Sequence, residues 1–78
     1  MSEHKCEIIK NIGVVSTEPS GWQTELNLVS WGGQPPKYDL RTWAPEHARP
    51  AKGVTLTKEE LVSLAAILDA EFARLANA

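Results

Sequence analysis

Residues 53–75 read Gly-Val-Thr-Leu-Thr-Lys-Glu-Glu-Leu-Val-Ser-Leu-Ala-Ala-Ile-Leu-Asp-Ala-Glu-Phe-Ala-Arg-Leu, and within them the apolar period changes from two to 3.6. Gly53-Val54-Thr55-Leu56 is a short strand. Thr57-Lys58-Glu59-Glu60 is a capping box: the Thr57 hydroxyl can accept from the Glu60 N–H, and the Glu60 carboxylate can reach back to the Thr57 N–H. Both glutamates sit at the positive end of the helix dipole. Leu61, Leu64, Ala65, Leu68, Phe72 and Leu75 follow at helical spacing, an apolar stripe about four turns long. The reading is a helix over 58–75 entered directly from a strand.

Upstream of this joint the pattern is extended. Residues 44–51 contain Pro45 and Pro50 and read as a loop. Residues 37–43 alternate, with Tyr38, Leu40 and Thr42 on one face and Lys37, Asp39, Arg41 and Trp43 on the other. Residues 32–36, Gly-Gly-Gln-Pro-Pro, are a turn, and 22–31 form a second alternating strand. Trp22, Thr24, Leu26 and Leu28 share one of its faces; Gln23, Glu25, Asn27, Val29 and Trp31 share the other. Glu18-Pro19-Ser20-Gly21 signals another turn, and residues 7–16 are a β-branched strand with apolar residues on both parities. Four strands and then one helix make an α+β layout, with the helix across one face of an antiparallel sheet. The other face is expected to lie open, and what lines it decides the function.

The chain has 78 residues and 8.6 kDa, which fits one domain over 1–78 with residues 1–5 frayed. At 42% hydrophobic and 23% charged it has enough apolar material to fold. A core this small supplies roughly 3–5 kcal/mol at best, so small domains recruit disulfides, metals or partners. Cys6 is the sole cysteine, so no internal disulfide can form. His4, His47 and Cys6 lack metal-site spacing, and no metal or cofactor is expected. A second subunit remains, and a homodimer is expected. No signal peptide or membrane span is read, and one free thiol fits a cytoplasmic protein. The net charge is −2, all of it from residues 57–78, whereas 37–52 carry four bases and two acids.

On the face opposite Tyr38 and Leu40 stand Lys37, Arg41 and Trp43, with Asn27 and Trp31 from the neighbouring strand. Aromatic rings beside bases suit unpaired nucleotides: bases stack on rings while Lys and Arg follow the phosphates. Duplex reading normally places a helix or ribbon in the major groove, and the one helix here is acidic. The competing reading makes the tryptophans edge or interface residues and the charges solvated cross-strand pairs.

Tyr38-Asp39-Leu40-Arg41-Thr42-Trp43, a loop, and then Lys52-Gly53-Val54-Thr55-Leu56-Thr57-Lys58-Glu59-Glu60-Leu61 resemble the transcriptional coactivator positive-cofactor-four family. Gly21-Trp22, Glu25-Leu26-Asn27 and Val29-Ser30-Trp31 look like its short bacterial, YdbC-like branch. The resemblance spans about residues 6–75. It implies a ββββα subunit with a curved sheet, a homodimer, and binding of single-stranded DNA with little sequence preference; the sequence does not separate DNA from RNA as the partner. Lys37, Arg41, Trp43 and Lys52 match the family's binding strands. Leu61 stands where eukaryotic relatives carry an aromatic.

No Ser/His/Asp set, phosphate loop or metal cluster reads as catalytic, so no enzyme is expected. The rival is a dimeric protein-interaction module holding a peptide or protein on the open sheet, for which a mainly apolar groove is required. Cys6 reads as a buried or edge residue of strand one, His47 as a solvated loop residue, and Trp22 as core or rim. Arg49 reads equally as a solvated charge or a phosphate contact. Lys10 is not placed by its pattern. Val62, Ala66, Ala70 and Ala73 flank the helical stripe, where small side chains let a second helix approach.

Overall fold

The computed structural model describes residues 6–78, so the readings of His4 and of a frayed 1–5 lie outside the described residues. Strands β1 (Cys6–Thr17), β2 (Gln23–Trp31), β3 (Lys37–Trp43) and β4 (Pro50–Leu56) are followed by helix α1 (Lys58–Ala76). A 3₁₀ turn (Pro45–His47) lies between β3 and β4. The strands form one antiparallel sheet in chain order. This is the expected ββββα order. The capping box forms as read: Glu60 N–H donates to the Thr57 hydroxyl at 3.1 Å, and Thr57 N–H donates to Glu60 Oε1 at 2.8 Å.

β1 explains its own ambiguous pattern. Its register shifts between Ile8 and Lys10, Asn11 and Gly13, and Val14 and Ser16. Ile8, Asn11, Val14 and Thr17 face Val29, Asn27, Glu25 and Gln23, so three residues of β1 span two of β2. Each bulge adds a residue to one strand, bends it and increases its twist. Apolar residues therefore recur on both parities. Lys10 pairs with Leu28 and is exposed.

β4 starts at Pro50, three residues before the expected strand. As first residue of an edge strand, Pro50 has no ladder bond to lose. Pro50 pairs with Trp43 and Gly53 with Arg41, so β4 also carries an extra residue against β3. Gly53 is required by the close approach of β3: a Cβ there would collide with Arg41 Cβ and the Leu40 carbonyl oxygen.

The apolar faces meet as expected in part. Leu61, Leu64, Ala65 and Leu68 of α1 join Val15, Leu26, Leu40 and Leu56 around a wholly apolar cleft of about 340 Å³. The stripe does not cover the sheet along its whole length. A 19-residue helix is about 28 Å long, whereas four strands span about 14 Å. Phe72 and Leu75 are 57% and 53% exposed and do not line the cleft against the sheet, and α1 has no buried residue.

The face expected to lie open is the more buried one. Val29, Asn27 and Asp39 are fully buried on it, with Glu25 at 2% and Trp43 at 3% exposure. Bulges curl the sheet, and residues 44–49 fold over its inner surface. The expectation that Asn27 and Trp43 present free surfaces is corrected accordingly.

Candidate nucleic-acid interface

Alternation in β2 and β3 places Trp31, Lys37, Asp39 and Arg41 on the inner face. Arg41 donates from Nε to Asp39 Oδ1 at 2.7 Å and from Nη2 to Asp39 Oδ2 at 2.8 Å. Its Nη1 donates to the Ala51 carbonyl at 3.1 Å. Thr55 adds a hydroxyl bond to Asp39 Oδ2 at 3.2 Å. So held, the guanidinium lies over the Trp31 ring, 4.8 Å from its centroid, and its side chain is only 15% exposed. Beside it a cleft of about 350 Å³ is lined by Trp31, Gln34, Pro35, Lys37 and Thr55. Lys37 and Lys52 are exposed and enter no ion pair among the described residues.

A buried polar network supports this surface. Glu25 Oε1 accepts from Asn11 Nδ2 at 3.2 Å and Asn27 Nδ2 at 3.1 Å, and His47 Nε2 approaches both Glu25 oxygens at 2.9 and 3.1 Å. Asn11 Nδ2 also donates to Asn27 Oδ1 at 2.7 Å. Buried polar groups are tolerable when they satisfy one another in this way. His47 is thus a fastener for its loop, not the merely solvated residue the sequence suggests. Its ring meets Trp43 edge-on, with centroids 5.3 Å apart. Glu46 and His47 both adopt left-handed backbone, φ 59° and 57°, a strain of about 1–3 kcal/mol each that the loop's contacts must offset.

The sequence-derived residues therefore divide. Lys37, Arg41 and Trp31 converge at one end of the inner face, with Lys52 on the adjoining edge strand. Asn27 lies buried beside Asp39 in the middle of that face, and Trp43 is buried at its other end, opposite Gln23. The indole N–H groups of Trp31 and Trp43 are buried without an acceptor among the described residues. Cys6 pairs with Trp31 and is half-buried. Burial, and secondarily the Asp39 charge, pushes its thiol pKa up against a smaller opposing effect of Arg41, so it is a poor nucleophile. Val62, Ala66, Ala70 and Ala73 are all exposed on α1. Besides the His47–Glu25 contact, sequence reasoning missed a second pairing: Arg49 lies 5.5 Å from the centroid of the Trp22 ring. Its only signal was a second arginine and a second tryptophan, with 26 residues between them.

The sequence profile of the family described as Transcriptional Coactivator p15 (PC4) matches residues 19–67. The chain belongs to this family. An uncharacterized protein of the bacterium Treponema pallidum (strain Nichols) is 46% identical over 63 residues, which cover 81% of this chain and 74% of that protein. Membership in the PC4 family points to a nucleic-acid-binding or transcription-related role, and the relative is consistent with a short bacterial PC4-like protein. The matched span holds β2, β3, β4 and the first half of α1, and so contains Trp22, Asn27, Trp31, Lys37, Arg41, Trp43, Arg49 and Lys52. Among the described residues no helix is long and apolar enough to cross a membrane.

Proposed function

We propose that this PC4-family chain binds single-stranded DNA with little sequence preference, without catalysing a reaction, as a cytoplasmic homodimer serving transcription, replication or repair. The observation that carries the reading is Arg41 held over the Trp31 ring, 4.8 Å from its centroid, beside a cleft with exposed Lys37 at its rim. A ring stacked with a guanidinium offers a plane that any base can stack on, and stacking contributes about 1–3 kcal/mol per base. Lys37 and Lys52 supply mobile charge for phosphates. Asn27 supports the face from within, and Trp43 lies buried at its far end, where a base reaches it only if residues 44–49 move.

A protein-interaction module would use a mainly apolar groove. A wholly apolar cleft lies between α1 and the outer face of the sheet, and we assign it to a second copy of the chain, with Val62, Ala66, Ala70 and Ala73 at the helix contact. The test of the binding reading is a titration with oligo-dT followed by tryptophan fluorescence, alongside duplex DNA and RNA of equal length. Oligo-dT should quench strongly and duplex bind more weakly, because bases must be unpaired to stack. Equal affinity for duplex would defeat the reading.

A further inference from the structure

The two Arg–Trp contacts differ in charge. Arg41 is forked onto Asp39, so its positive charge is largely neutralised within its own strand. Arg49 is exposed and makes no ion pair among the described residues. Glu18 accepts from the Ser20 hydroxyl, Glu25 is held by His47 and two amides, and the exposed Glu46 of the same loop is not paired with Arg49. The Arg49 guanidinium lies 5.5 Å from the centroid of the partly buried Trp22 ring, and its side chain makes no hydrogen bond among the described residues.

The pair also stands on a fixed base. The turn before β2 is closed by Glu18 N–H to the Trp22 carbonyl and Gly21 N–H to the Glu18 carbonyl, both at 2.8 Å. Gly21 has φ 96°, and a Cβ on it would stand 3.0 Å from Pro45 Cγ, so this turn and the β3–β4 loop abut. The loop is closed by Ala44 N–H to the Arg49 carbonyl at 2.9 Å. Trp22 and Arg49 are therefore brought together by backbone that does not depend on either side chain. An uncompensated guanidinium braced on an aromatic ring is suited to a phosphate flanked by an unpaired base: the fork takes the phosphate oxygens and the ring takes the base.

Resting on the single-strand reading above, we infer that Arg49 and Trp22 form a second nucleotide station, at the end of β2 opposite Trp31, and that Arg49 contacts phosphate there. Nine residue steps separate Trp22 from Trp31, or about 30 Å along the strand, so the two stations are separate sites. The experiment measures oligo-dT affinity against salt for the wild type, Arg49→Ala and Arg49→Lys, each checked by circular dichroism. Only the Arg49 backbone closes the loop, so both variants should fold. Arg49→Ala should lower the slope of log affinity against log salt by about 0.7, one phosphate contact on a single strand. Arg49→Lys should keep the wild-type slope. A wild-type slope in Arg49→Ala overturns the inference, and so does an equal loss in Arg49→Lys, since the charge would then not be the contact. A wild type that fails to bind oligo-dT sinks the underlying reading instead, and the two failures are told apart in one experiment.

Discussion

Arg41 uses three of its five N–H groups on Asp39 and the Ala51 carbonyl, so the guanidinium over Trp31 is fixed and largely neutralised. Sequence alone presents Arg41 as a phosphate contact; its surroundings make it a stacking surface, with Lys37 and Lys52 left as the free charges of that end. Asp39→Asn separates these roles. The substitution removes one partner of a pair whose acid is fully buried and whose base is nearly so. Stability should fall by about 2–3 kcal/mol, somewhat less than for a fully buried pair because Arg41 keeps some solvent. Urea unfolding measures this. The same variant frees a positive charge at the interface, so the salt slope of oligo-dT binding should steepen by up to about 0.7. A folded Asp39→Asn protein with unchanged slope would mean that Asp39 does not hold the Arg41 charge in check.

Strands β3 and β4 are kept in register by a close approach at Gly53, and this contact sets where Arg41 stands. Gly53→Ala puts a methyl group into the Arg41 Cβ and the Leu40 carbonyl, atoms of backbone and its root that cannot swing away. Overpacking of this kind costs about 1–3 kcal/mol, and the upper half is expected here. A lowered urea midpoint together with weaker oligo-dT binding is the expected outcome; a binding curve like the wild type's would show that the register does not position the platform. Elements were legible where one local rule acts alone. The capping box at Thr57 and the alternation of β2 and β3 needed only neighbouring residues. β1 hid its faces because three bulges turn a period of two into a period of three. β4 hid its start because Pro50 reads as a loop residue unless its edge position is known. The site was legible as a set of residues on one parity, but not as a buried one. Curvature and the Glu25–His47 contact join residues 22 positions apart, and no local pattern records that.

The described chain has a radius of gyration of 14.4 Å, against about 11.5 Å for a compact domain of 78 residues. Among the described residues only Val29, Trp43 and Ala44 are buried hydrophobics, while Val62, Ile67, Leu68, Phe72 and Leu75 stand 40% exposed or more on one helix. Apolar surface of that extent, running on from an apolar cleft, is uncommon on a monomer and marks a contact surface. In a two-fold dimer each helix would bring its overhanging half to its partner's sheet or helix, and every substitution would act twice. The two flanks of α1 make separate predictions. Phe72→Glu strikes the stripe that outruns its own sheet; Ala66→Glu strikes the small-residue flank proposed for helix–helix approach. Sedimentation of the wild type at micromolar concentration should give a dimer, and each variant a monomer or an unfolded chain. Joined subunits also hold a long strand at two places, with the second contact favoured by effective concentration. A variant that folds as a monomer should therefore lose affinity for long oligo-dT while nearly keeping it for short. A wild type that sediments as a monomer, or a folded monomeric variant that binds the long strand at full strength, would detach nucleic-acid binding from assembly.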